Sequence, residues 1–150
     1  MNPFLSFMKT HWILLTGRLH FSRERIGETF TLGDDQVFTI FRQVIVDPPR
    51  GQFAKPEALF RVRFRVVNMT LELNQRFSIL PIPFFIGLPG FRSKLWMHDR
   101  TTGDSQGVYQ WDTVQDAQNY ANSFAMKFMT RRAVPGSISH EMLPISQEQP

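Results

Sequence analysis

Two histidines, a row of arginines and a lysine set among aromatic residues are the side chains in this sequence that could do chemistry. His98 and His140 fall in strand-like segments, and an imidazole that titrates near neutrality is a natural general base. The plain alternative for each is a ring that satisfies a hydrogen bond at a wet sheet edge. Arg61, Arg63 and Arg65 alternate with Phe60, Val62, Phe64 and Val66, so an extended chain puts the three guanidinium groups on one face. Forked donors of this kind suit a substrate carboxylate or enolate. The row equally suits a structural network with Asp99, Asp112 or Glu141, because three stacked cations need partners in either case. Lys94 and Trp96 share a strand face with Arg92 and His98, while Tyr109 and Trp111 share a face of the next strand. If that face meets helices, Tyr109 and Trp111 are core; if it meets a cavity, they are a platform for a ligand. The sequence leaves the two open.

Other chemistries find little footing. There is no cysteine, which removes disulfides, thiol catalysis and thiolate metal sites. No two histidines have metal-ligand spacing, so no metal site is expected. Neither a Gly-rich phosphate loop nor a Gly-x-Ser-x-Gly elbow occurs. The net charge is +4, with thirteen Arg against four Lys. Only the Arg61–Arg65 strand gathers that charge, so a nucleic-acid partner is not expected. Residues 79–91 are apolar but short, and Pro81, Pro83 and Pro89 interrupt them, which argues against a membrane span. Lys9 and His11 interrupt the apolar N-terminal stretch, so it is not expected to act as a signal peptide, and a cytoplasmic location is expected.

The elements that must position these residues follow from periodicity. Residues 3–20 read as an amphipathic helix opening after Asn2-Pro3, with Phe4, Phe7, Met8, Trp12 and Leu15 on a shared face. That face suits packing on the domain or a partner subunit, or peripheral contact with a membrane. Thr29–Leu32 and Gln36–Val46 read as strands joined by Gly33-Asp34-Asp35. A Pro- and Gly-rich loop at 47–56 follows. Ala58–Val67 is a strand and Thr70–Ile79 a helix, and residues 82–91 read as an exposed apolar loop. Phe91–Asp99 and Gly107–Trp111 form a hairpin around the Thr101–Asp104 turn. Val114, Ala117, Ala121, Phe124 and Phe128 line one face of a helix running from 114 to 132, stopped by Pro135-Gly136. Ser137–Leu143 is the last strand.

From Ala58 onward the order is strand, helix, strand, strand, helix, strand. This is the split βαβ, or ferredoxin-like, α+β arrangement with an antiparallel sheet. We expect a single domain of 150 residues, with 58–144 as its core and 1–57 as an N-terminal extension of helix and hairpin. The helices should cover one sheet face. The other should carry Arg61, Arg63 and Arg65 together with Arg92, Lys94, Trp96 and His98. Pairing two such faces would give a homodimer with a lined cavity.

Pro89-Gly90-Phe91, Lys94, Trp96, Gly107, Tyr109, Ala117 and Tyr120 carry a further likeness. In this order they resemble the dimeric α+β barrel superfamily, and within it the YdhR-like mono-oxygenases, relatives of the antibiotic-biosynthesis mono-oxygenases. The likeness spans residues 58–144. It implies a cavity between the helices and the concave sheet face. It also implies oxidation of activated aromatic compounds by dioxygen without a cofactor, the substrate itself supplying the electrons. Members that degrade haem use a histidine on the last helix. Here that helix has none, and Ala121 stands at the aligned position, so the haem route is not expected. The resemblance therefore points to a cofactor-independent mono-oxygenase-like protein acting on a hydrophobic small molecule with an anionic group. Arg61, Arg63, Arg65 and Lys94 would hold the anion, His98 or His140 would take a proton, and Trp96, Tyr109 and Trp111 would shape the pocket. A non-catalytic binding or docking protein on the same fold is the alternative.

Overall fold

The structure, a computed structural model, describes residues 2–31, 35–52 and 55–145. Gly33 and Asp34 of the expected first turn, Leu32 before it, and two residues of the 47–56 loop lie outside the described residues.

The chain opens with helix α1 (Pro3–Leu15), then strands β1 (Leu19–Ser22), β2 (Thr29–Thr31) and β3 (Val37–Val46). Next come β4 (Ala58–Phe64), α2 (Leu71–Phe77), α3 (Ile82–Phe85), β5 (Phe91–His98) and β6 (Ser105–Trp111). Helices α4 (Val114–Ala121) and α5 (Phe124–Arg132) and strand β7 (Ser139–Pro144) complete it. The strands form one sheet in the order β1-β3-β5-β6-β4-β7, with β2 also on β3, and every pairing is antiparallel. Within it, β5-β6-β4-β7 is the strand order of the ferredoxin-like α+β fold, as expected. Strand β3 adds to the free edge of β5 through residues 39–45, so the N-terminal extension continues the same sheet.

Local chemistry sets the element ends. The Asn2 side chain accepts from the Phe4 amide at 2.8 Å, and Pro3 opens α1. The helix stops earlier than expected. Gly17 takes φ +67°, and the Gly17 and Arg18 amides return to the Leu14 and Ile13 carbonyls. That frees Leu19 onward to pair with β3, a strand the apolar periodicity did not reveal. The expected 114–132 helix is two helices: the Ser123 hydroxyl caps α5 by accepting from the Met126 amide at 3.2 Å. Residues 82–91 are not an exposed loop. They begin as α3 and bury Ile82, Phe85, Ile86 and Leu88.

α1 packs the reverse of its apolar stripe. Its buried residues are Ser6, Thr10 and Ile13, while Phe4, Met8, Trp12 and Leu15 are exposed. Close packing is the reason. Ser6 Oγ donates to the Phe84 carbonyl, and Thr10 Oγ1 to the Pro83 carbonyl at 2.6 Å. Gly87 lies so close to the Ser6 backbone that a Cβ there would overlap it. Only small side chains allow that approach.

The main core fills the space between sheet and helices around Phe60, Val62, Tyr109, Trp111, Ala117 and Tyr120. A second, smaller cluster of Phe38, Ile40, Leu95 and Met97 lies on the other sheet face. The face expected to be uncovered is therefore partly closed by the chain's own side chains.

Candidate functional site

Pleating and register build the site. Across the helix-covered face run two cross-strand rows: Phe60, Tyr109, Lys94, Val44, and beside it Val62, Gly107, Trp96, Arg42. Gly107 is the key to the second row. Having no side chain, it leaves a gap in mid-strand that the Lys94 stem fills; a Cβ there would lie 2.9 Å from the Tyr109 ring and 3.4 Å from Lys94 Cε.

Above this floor lies a cavity of about 340 Å³. Its lower surface is Lys94, Trp96, Gly107 and Tyr109; its upper and side walls include Phe84, Phe85, Tyr120, Phe124 and Phe128 from the helices. The lining is overwhelmingly apolar. That size and character suit a ligand of two or three fused rings.

The Lys94 amine stands in an aromatic cage. Nζ lies 4.6 Å from the Phe85 ring centroid, 4.3 Å from Trp96 and 4.5 Å from Tyr109. Lys94 is 7% exposed, and among the described residues no carboxylate pairs with it. Burial pushes its pKa well down, and the positive charge of Arg42 adds to the effect. Each ring face favours the ammonium by about 2 kcal/mol when desolvated. An unpaired buried ammonium costs several kcal/mol in desolvation, so burial and the rings pull the amine in opposite directions. Arg42 is held by Ser78 Oγ and by the Gln75 carbonyl at 3.0 Å, and lies 5.8 Å over Trp96. Trp96 thus lies between the Lys94 amine and the Arg42 guanidinium.

Tyr109 and Tyr120 are buried with their ring centroids 4.7 Å apart. Burial raises both phenol pKa values, so both stay protonated donors rather than bases. Trp111 is fully buried and stacks under Tyr120 at 4.9 Å, which makes it core rather than cavity wall. Its Nε1 has no hydrogen-bond partner among the described residues.

The residues singled out in the sequence divide by face. Lys94, Trp96 and Tyr109 meet at the cavity floor. His98 lies on the same side, stacked on Phe41 at 5.1 Å; Phe41 lines the cavity and His98 does not. Its Nδ1 is buried without a hydrogen-bond partner among the described residues. Burial, then the charge of Arg100, lowers its pKa against the opposing pull of Glu72 and Asp99. His140 is exposed on edge strand β7, stacked on Phe60 at 5.4 Å.

The arginines lie on the opposite face, a correction to the expectation that they share one with Lys94, Trp96 and His98. Arg61, Val108 and Leu95 form one far-side row, and Arg63, Gln106 and Met97 the next. Alternation along each strand holds, but the register between strands places Lys94 opposite Tyr109, not opposite Arg61. Arg61 is ion-paired with Glu141, the partner the structural alternative named. Arg63 donates to Gln36 Oε1 at 2.5 Å and lies 5.1 Å over Phe38, and Arg65 pairs with Asp104 at 2.7 Å. Arg92 sits at a register irregularity of β5 and pairs with Asp112.

Phe41, Arg42, Phe85 and the role of Tyr120 were not found from sequence as site residues. Phe85 lay inside an apparent loop. Phe41 turns to the cavity only because the β3–β5 register shifts between Ile40 and Arg42. Among the described residues, no group of three or more acidic, histidine or cysteine side chains could hold a metal ion, and no helix is long and apolar enough to cross a membrane.

Solved structures of similar shape bear directly on this arrangement. A ferredoxin-fold protein from Listeria monocytogenes, related to antibiotic biosynthesis monooxygenases, superposes with a TM-score of 0.57 over 81% of this chain and 70% of its own, at 10% identity. The shared fold is the ferredoxin-like α+β fold. A monooxygenase-like protein from Listeria innocua gives 0.55 over 79% of this chain and 69% of its own, also at 10% identity. A major regulator of staphylococcal pathogenesis gives 0.52 over 91% and 92%, at 13% identity. No protein-family description and no curated protein matches the sequence. At these identities the likeness speaks to fold and leaves activity to be argued from the site.

Proposed function

We propose that the cavity binds a hydrophobic, aromatic small molecule carrying an acidic O–H, or a C–H beside a carbonyl, and that the chain oxidises it with dioxygen. One observation carries this reading: a buried lysine amine, without a carboxylate partner among the described residues, caged by three rings at the floor of an apolar cavity. The neutral amine takes the acidic proton. The resulting ammonium is held by the ring faces and pairs with the enolate or phenolate left behind. That electron-rich anion then reduces dioxygen. For an activated methylene the balance is one CH₂ and one O₂ giving one C=O and one H₂O, the substrate supplying the electrons. The monooxygenase-like character of two proteins with this fold supports the reaction class. Lys94 is better placed than His98 for the proton, since His98 does not line the cavity. We keep the expected homodimer within this proposal, with the Arg61–Arg65 face as the contact.

The test is oxygen uptake with a tricyclic aromatic ketone bearing an activated methylene. Consumption of one O₂ per substrate, lost in Lys94→Met, is the expected result. Binding without uptake, seen as quenching of tryptophan fluorescence in the unaltered chain but not in Trp96→Phe, would replace the oxygenase by a ligand carrier.

A second reading has its own observation. Phe4, Met8, Trp12 and Leu15 leave an apolar stripe of α1 in solvent, with Leu15 82% exposed. Alongside Lys9, this stripe suits peripheral contact with a lipid surface. Co-sedimentation with anionic vesicles, abolished by Trp12→Glu, is the expected outcome; no sedimentation of the unaltered chain rejects it.

A further inference from the structure

The same amine has a second capacity. Lysine becomes a nucleophile at neutral pH when an apolar pocket desolvates it or when another cation stands nearby. Lys94 has both: an aromatic cage within 4.6 Å of Nζ, and Arg42 across the Trp96 ring. It also has what an exposed lysine lacks, a cavity of about 340 Å³ to hold a partner against it. Buried phenols that remain protonated line the same cavity, Tyr109 on its floor and Tyr120 on its helical wall.

We infer that Lys94 is a carbonyl-capturing lysine: it forms an imine with hydrophobic aldehydes and ketones that enter the cavity. The Nζ lone pair adds to the carbonyl carbon, giving a carbinolamine. The former carbonyl oxygen then takes up protons and leaves as water, and a C=N bond replaces C=O. One amine and one carbonyl compound give one imine and one water, with no change of oxidation state. Apolar walls favour aromatic or long-chain carbonyl compounds. They also keep bulk water from the C=N bond, which favours the imine over hydrolysis. This step rests on the reactive amine assumed in the oxygenase reading, but not on the oxidation, and it needs no dioxygen.

Incubation of the full chain with 2-naphthaldehyde at pH 7, followed by cyanoborohydride, would convert any imine to a stable secondary amine. Peptide mapping by mass spectrometry then compares Lys94 with Lys9, Lys55 and Lys127. At pH 7 an ordinary lysine is neutral in only about 4 molecules in ten thousand. Labelling of Lys94 at least about tenfold faster than the other three is therefore expected, with the advantage shrinking as pH approaches 10. Phe128→Trp, which narrows the cavity without touching the lysine, should slow Lys94 labelling selectively. Labelling spread evenly over the four lysines, or absent at Lys94, overturns the inference. Labelling at Lys94 with no oxygen uptake in the separate assay would keep it and remove the oxygenase.

Discussion

Replacing Lys94 by methionine should make the protein more stable, by an amount that depends on pH in a defined direction. Methionine has a similar unbranched length and can fill the gap left by Gly107, but carries no amine. At pH 7 the unfolded chain holds its lysine protonated, near the free value of about 10.4. The folded chain holds Lys94 at a strongly lowered pKa, through burial and then Arg42. Between those two values the unfolded state binds one more proton, so wild-type stability rises with pH by about 1.4 kcal/mol per unit. The cost of keeping the amine neutral at pH 7 is thus at most about 5 kcal/mol, the span from 7 to 10.4 at that slope. We expect Lys94→Met to be more stable than wild type at pH 7, by no more than that ceiling. At roughly 2–4 °C per kcal/mol for a chain of this size, the melting midpoint should rise visibly. Urea unfolding of both proteins at pH 7, 8, 9 and 10 measures the gap directly. It should be widest at pH 7 and close towards pH 10. A variant less stable than wild type at pH 7, or a gap that does not change with pH, would refute the reasoning that Lys94 is an unpaired buried amine.

Three further outcomes follow from neighbouring groups. Tyr120→Phe removes a buried hydroxyl beside the Tyr109 ring, 4.7 Å away between centroids; a loss of about 1 kcal/mol in urea unfolding is expected. Gly107→Ala would push a methyl group to 2.9 Å from the Tyr109 ring. Overpacking should cost about 1–3 kcal/mol and weaken ligand binding, read by titrating tryptophan fluorescence. His98 has its pKa lowered by burial and by Arg100, so the unfolded chain takes up a proton near pH 6.5 that the fold resists. Wild type should therefore lose stability as pH falls below about 6.5, and His98→Gln should flatten that part of the profile in thermal melts from pH 7 to 5.

The core fold was legible because its signals are local. Alternation in Ala58–Phe64, the hairpin turn at Thr101–Asp104 and the apolar helix positions after Thr113 each mark an element, and their order leaves few topologies. Which residues face each other across strands is not local. Lys94 and Arg61 each obeyed alternation, yet the register set Lys94 beside Tyr109 and turned Arg61 away. Period-2 patterning gives faces only relative to one strand, and a one-residue change of register reverses them. α1 differs for another reason. Of the roles its apolar stripe suited, packing on the domain is not seen, because backbone approach at Gly87 selected Ser6 and Thr10 instead. Hydrophobicity reports what gains by leaving water; it is silent on which surface the neighbouring backbone can approach.

The division of charge between the two sheet faces bears on what the site can do. On the far side, each arginine of the row has found an acidic or polar partner: Glu141, Gln36 and Asp104. Those contacts tie β7, the start of β3 and the β5–β6 turn to β4, which is work a scaffold needs. On the cavity side the one lysine has been given rings in place of a carboxylate. A carboxylate there would hold the amine as a paired ammonium and keep it from acting as a base or nucleophile at neutral pH. Aromatic faces also favour the ammonium, but they carry no net charge and accept no proton. A fold optimised only for stability would place methionine or leucine at this position, since burying the amine costs several kcal/mol and no salt bridge offsets it among the described residues. That retained cost is the physical argument behind the proposal that position 94 serves a ligand.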